Sequence, residues 1–190
     1  MSSTHVDIRE YREIPQWDPF VLRHPSGSVL HTTSMIRCRE ATPNNFPHAY
    51  GALDACGELC AILVASRIVT MSGLGQQITS RSIMAAEPLF LDTAAGRAGI
   101  DALLQQHDRY MSTRALFSEI RPIFALPERD DPLLDAGYAK LGYLNYEFEL
   151  CPCEQQLFRR LGPKRRNNVR AAANGNVQIR CQSLYQRPRG

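Results

Sequence analysis

The chain has 190 residues, 44% apolar and 22% charged, with a formal net charge of +3, which is the composition of an ordinary soluble globular domain. Its longest apolar run, residues 59–65, is far too short to span a bilayer, and the opening MSSTHVDIRE carries no secretory pattern, so a cytoplasmic protein is expected.

Residues 5–11 alternate polar and apolar and predict an edge strand. Short helices are expected over 17–23 and 32–39, separated by the turn His24-Pro25-Ser26-Gly27-Ser28. An apolar strand from His48 to Asp54 leads through Asp54-Ala55-Cys56-Gly57 into a long strand over 58–69, the second arm of a hairpin. Residues 71–81 are rich in glycine and serine and read as a loop, followed by a strand over 82–91 interrupted by Pro88. Asp92-Thr93 caps a helix over 94–111, with Ile100, Leu103, Leu104 and His107 at helical spacing. A short strand over 116–120, a brief helix over 131–136 closing at Gly137, and a strong strand over 143–150 follow. Helices over 154–161 and 163–173 and a strand over 177–180 complete the series. Strands around one central helix describe an α/β layered domain.

The six cysteines, at 38, 56, 60, 151, 153 and 181, lack the C-x-x-C spacing of a structural zinc site, and the five histidines form no H-E-x-x-H pattern. No metal site is expected. Charge is more informative. Residues 1–154 carry 13 Lys/Arg against 19 Asp/Glu, whereas residues 155–190 carry 9 Lys/Arg and no acid. The imbalance points to an anionic partner for the later segment. Arginine outnumbers lysine twenty to two, which suits bidentate contacts to phosphate or carboxylate.

The stretch FLDTAAGRAGIDALL (90–104) runs from a strand through a glycine-bearing turn into a helix, whose free N–H groups attract phosphate. Thr93-Ala94-Ala95-Gly96-Arg97-Ala98 resembles the Arg/Gln-x-x-Gly-x-Gly/Ala pattern on which GNAT acyltransferases hold the pyrophosphate of coenzyme A, with Thr93 where a cation or Gln is expected. By that resemblance Thr93, Gly96, Arg97 and Ala98 are candidate cofactor-binding residues for acetyl-CoA or another acyl-CoA. An N-cap followed by a tolerated glycine explains the same residues. In LLDAGYAKLGYLNYEFEL (133–150), Gly137 supplies a helix C-cap and Tyr138 covers the sheet end, the way many GNAT domains close. Tyr143 and Tyr146 read equally as ordinary strand packing.

LGPKRRNNVRAAANGNV (161–177) is the most basic segment. Pro163 suits a first helical position and Asn174-Gly175 its end. Arg166 and Arg170 sit together one turn apart, while Lys164 lies opposite, so the cations are spread around the helix. No aromatic residues interleave with them, which argues against a dedicated DNA-binding surface, and a solvated helix face explains the same residues.

Three stretches together resemble the Fem-type (FemAB-like) aminoacyl- and peptidyltransferases of bacterial cell-wall synthesis, a branch of the GNAT superfamily: SGSVLHTTSMI (26–36), SRSIMAAEPLFLD (80–92) and LGPKRRNNVRAAANGNVQIR (161–180). The resemblance implies a GNAT-like mixed sheet flanked by helices over 1–153, then a basic helical junction over 154–190 that opens a second GNAT-like domain and stops within it. It also implies transfer of an acyl or aminoacyl group to an amine of an anionic peptidoglycan precursor, with aminoacyl-tRNA as a possible donor. Lys164, Arg166 and Arg170 would neutralise phosphate or carboxylate groups of a substrate, with Arg37 and Arg39 as further precursor contacts; no catalytic side chain is assigned. Two rivals stand beside it. One is a single-domain N-acetyltransferase using acetyl-CoA, the other a non-catalytic module binding RNA or another polyanion through residues 155–190.

Overall fold

The computed structural model describes residues 5–71, 76–123, 131–142 and 153–175. Two compact units divide between Leu141 and Gly142. In the first unit, strands β1 (Asp7–Glu10), β2 (Asn45–Leu53), β3 (Leu59–Ile68), β4 (Arg81–Met84) and β6 (Ser118–Ile120) lie side by side in that order, and β5 (Leu89–Phe90) pairs with β3. All pairings are antiparallel except β4 with β6, which run parallel through Ser82–Ser118, Ile83–Glu119 and Met84–Ile120.

The β2–β3 hairpin forms because Asp54 Oδ1 accepts from the N–H groups of Cys56 (2.8 Å) and Glu58 (3.0 Å), while Gly57 adopts a left-handed φ of 81°. Strand β3 is buried on both faces as far as Ser66, as its unbroken apolar run over 59–65 demands. On one face lie α1 (Trp17–Arg23) and α2 (Thr33–Glu40), with Trp17, Phe20, Val21 and Ile36 packed on Ala49, Leu59, Ile62, Val64 and Leu89. The Trp17 indole N–H donates to the His31 carbonyl (2.8 Å), so its polar edge is satisfied within the core.

The opposite face carries α4 (Ala94–Met111), whose Gly96, Gly99, Ile100, Leu103, Leu104, His107 and Met111 form one buried stripe. At Gly99 an added Cβ would lie 3.0–3.2 Å from Ala52 Cβ, Cys60 Sγ and Ala61 Cβ. Small residues on both sides set this close helix-to-sheet contact. Toward the helix C-terminus the interface turns polar. His107, fully buried, has Nε2 3.2 Å from Ser82 Oγ and 3.4 Å from Ser118 Oγ. His48 on β2 lies 5.5 Å from the His107 ring and stacks on Tyr110 at 4.4 Å. Burial pushes both imidazoles down to about 4, with His107 and then Arg114 adding to the effect at His48.

The structure corrects several boundaries. Tyr11 leaves β1 for a 3-10 turn over Tyr11–Glu13, because its ring is buried on the α1 face. The expected loop over 71–81 contains one helical turn, α3 (Gln76–Thr79), closed by the Ser80 N–H and hydroxyl, which both donate to the Gln76 carbonyl. Pro88 splits the strand expected over 82–91 into β4 and β5, since it offers no N–H to a ladder. The helix expected to close at Gly137 is α5 (Pro132–Asp135), with Gly137 at φ 91° donating its N–H to the Leu134 carbonyl. The strands expected over 143–150 and 177–180, with Tyr143 and Tyr146, lie outside the described residues. In the second unit α6 (Glu154–Arg160) and α7 (Pro163–Asn174) form as read, with Pro163 at the helix start and Gly175 at its end.

Candidate functional site

The turn from β5 into α4 is built by three backbone-directed contacts. The Thr93 N–H donates to the Leu91 carbonyl (2.8 Å), Thr93 Oγ1 accepts from the Gly96 N–H (3.1 Å), and the Arg97 N–H reaches the Thr93 carbonyl (2.9 Å). Gly96 is required there: a Cβ would stand 2.0 Å from the Leu91 carbonyl oxygen. Thr93, Gly96, Arg97 and Ala98 therefore share one turn at the head of α4, where the N–H groups of Ala94 and Ala95 have no acceptor within the helix. The charge at this turn is mixed. Arg97 lies 3.4 Å from Asp92, whose side chain is 92% exposed, and spreads its guanidinium over the Phe90 ring at 5.6 Å.

Beside the turn, β4 and β6 run parallel to Met84–Ile120, and the chains then part. Glu87, 5% exposed, sits where they part. Its Oε2 accepts from the Ile123 N–H (2.9 Å), while Oε1 has no partner. Helix α5 fills the adjoining space: Leu133 packs with Ile100, Leu103 and Leu104, and the Tyr138 hydroxyl donates to Asp108 Oδ1 (2.8 Å). A cavity of about 40 Å³ remains between Glu87, Pro88, Phe90, Ile100 and Asp131–Leu133.

Two histidines tie the α1–α2 connection to the same strand. His31 Nε2 lies 2.8 Å from the Glu87 carbonyl, and His24 Nε2 lies 3.1 Å from the Phe90 carbonyl. Behind them, the N–H groups of Ser28 and Ser26 donate to His31 Nδ1 (3.2 Å) and His24 Nδ1 (3.1 Å). These partners assign both rings as neutral with the proton on Nε2. Burial lowers the His31 pKa. Spacing along the chain does not single out these histidines; the local signal is Ser28 three residues before His31, which closes a capping box with histidine in the usual Glu position.

Of the remaining sequence candidates, Arg37 is exposed on α2 and Arg39 is half-buried there, its pKa lowered by desolvation. Helix α2 packs on the sheet face opposite α4, so these arginines do not join the Thr93–Ala98 turn. Lys164, Arg166 and Arg170 stand on α7 in the second unit, Lys164 and Arg170 exposed and Arg166 half-buried; Arg170 lies over the Phe158 ring at 5.4 Å, and among the described residues none of the three has a carboxylate partner. A separate cavity of about 330 Å³ opens at the β1 edge, but its Asp7 is paired with Arg9 (2.7 Å) and its Asp54 holds the hairpin turn. No group of three potential metal ligands occurs among the described residues, and no helix among them is long and apolar enough to cross a membrane.

No family model matches the sequence, and no curated protein matches it. Similarity appears among solved structures. A probable acetyltransferase matches with a TM-score of 0.50 at 12% identity, covering 77% of this chain and 98% of that chain. An aminoglycoside acetyltransferase from an uncultured soil metagenomic sample matches at 0.49 and 14% identity, over 79% and 100% of the two chains. An aminoglycoside 6'-N-acetyltransferase from Acinetobacter baumannii matches at 0.47 and 17% identity, over 77% and 99%. The mixed sheet flanked by helices thus has a GNAT-like fold.

Proposed function

We propose that the chain serves N-acyl transfer of the Fem type, in which an amine of an anionic cell-wall precursor attacks the activated carbonyl of an acyl or aminoacyl ester. In this reading residues 1–153 form the first GNAT-like lobe and residues 154–190 a basic junction. Lys164, Arg166 and Arg170 meet the phosphates or carboxylates of a substrate, and Arg37 and Arg39 contact the precursor. The observation that carries the reading is α7 itself. It buries no side chain, and its Lys164, Arg165 and Arg166 have no carboxylate partner among the described residues, so its charge is available to a polyanion.

The test is binding of a tRNA to the full chain across a salt series. With three phosphates neutralised, a fourfold rise in salt weakens binding by roughly 20–40-fold. Arg166→Ala with Arg170→Ala should weaken binding and flatten that slope without moving the melting temperature. Equal affinity in the double variant rejects the role given to α7.

The second reading is a single-domain N-acetyltransferase using acetyl-CoA. The tight turn favours it, because Thr93, Gly96, Arg97 and Ala98 would then face the pyrophosphate. The structural neighbours, acetyltransferases by description, support it as well as the first reading, and the side chains along the donor path set its demands. Thr93 brings no charge, Arg97 is engaged by Asp92, and the 40 Å³ space beside Glu87 holds about one water, against roughly 300–1,000 Å³ for a usual ligand site.

A further inference from the structure

We propose that the α1–α2 connection and α5 fill the gap between the β4–β5 segment and β6, so that the described residues of this lobe do not fit a coenzyme A thioester. The inference rests on the GNAT fold and not on the Fem-type reading.

The strand that would receive an extended thioester arm is already satisfied. Leu89 and Phe90 pair with Ile62 and Ala61 of β3, and the Leu91 N–H donates to the Cys60 carbonyl (2.9 Å). By the alternation of a strand, the Phe90 carbonyl points away from β3, toward the gap. His24 takes that carbonyl, and His31 takes the carbonyl of Glu87. Both imidazoles are held from behind by backbone N–H groups of their own loop, so neither is a loose side chain that a ligand would simply displace.

Across the gap the Glu87 carboxylate bonds the Ile123 N–H, joining the two chain segments where they separate. Below it, Pro132 and Leu133 are buried against α4, and α5 is fixed by its Asp131 cap, whose Oδ1 accepts from the Leu133 N–H (3.0 Å), and by Tyr138 on Asp108. An arm entering here would have to break the carbonyl contacts of both histidines and expel Leu133. At the mouth, Asp92 lies 3.4 Å from Arg97 and offsets its charge.

Two measurements on the full chain decide the matter. In the first, acetyl-CoA is raised to about 1 mM, the top of the usual KM range, during thermal unfolding. No change in melting temperature is expected; a saturable rise of several degrees overturns the proposal. In the second, hydrogen exchange of the amides in 85–91 is compared between the wild type and His24→Ala, a half-buried position outside both core clusters. Exchange in that segment should quicken about tenfold or more while the amides of 100–104 keep their rates. Unchanged exchange in 85–91 overturns the role given to His24. Loss of tRNA binding would sink the Fem-type reading and leave both results standing.

Discussion

Acidification should weaken this fold through the two buried histidines between β2, β4, β6 and α4. His107 is fully buried and His48 is 7% exposed, and each imidazole titrates at about 4 instead of its ordinary 6.5. The folded pKa lies below the unfolded one, so the unfolded chain binds protons more readily. The contribution of each neutral ring is therefore complete above pH 6.5, is lost progressively as pH falls to about 4, and stays lost below it. A shift of this size corresponds to about 3 kcal/mol for His107 alone, a large part of a typical total of about 5–15 kcal/mol. Urea unfolding at pH 7, 6, 5 and 4 measures it, with His107→Gln as the control that keeps a polar group near Ser82 and Ser118 but cannot take up a proton in this range. The wild type should lose about 3 kcal/mol more than the variant between pH 7 and pH 4, with most of the difference appearing below pH 6. Carboxylates also titrate over this range, so only the difference between the two proteins counts. Parallel curves would refute the assignment of a buried neutral imidazole at position 107.

Trp17→Ala removes a 1% exposed ring and its bond to the His31 carbonyl, and should cost about 3–5 kcal/mol by urea unfolding. Gly96→Ala forces a Cβ against the Leu91 carbonyl and should destabilise by at least about 2 kcal/mol; an unchanged melting temperature would mean that the turn opens freely. Tyr138→Phe deletes the bond to Asp108 and should cost about 1–2 kcal/mol. In the wild type, burial and then the Asp108 carboxylate raise the Tyr138 phenol above its ordinary value, so absorbance at alkaline pH should show one phenolate fewer than in a protein with that tyrosine exposed.

Much of the first unit was legible because short-range rules govern it. Trp17–Arg23 and Ala94–Met111 were bounded correctly, since capping, periodicity and a polar flank act within a few residues. The Asp54–Gly57 turn was legible for the same reason: an Asx contact and a left-handed glycine are local. The basic helix over Pro163–Asn174 was legible from proline at its start and Asn-Gly at its end. The anion-binding pattern at Thr93–Ala98 was visible as spacing, and the turn has that shape. Sequence could not tell how much room lies beside the turn. That depends on Leu133, 37 residues after Gly96, packing against Ile100 and Leu104.

Local chemistry thus determined the longer helices, the hairpin and the basic segment, while the family of folds was legible through resemblance. Tertiary structure alone decided what His24, His31, His48, His107 and Glu87 do, because each meets its partner from a distant part of the chain. His31 reaches the Glu87 carbonyl across 56 residues and His24 the Phe90 carbonyl across 66, while Glu87 reaches Ile123 across 36. The composition of a segment carries no trace of a neighbour that only folding supplies, and an imidazole read along the chain looks the same whether it faces water or fastens a loop to the central strand.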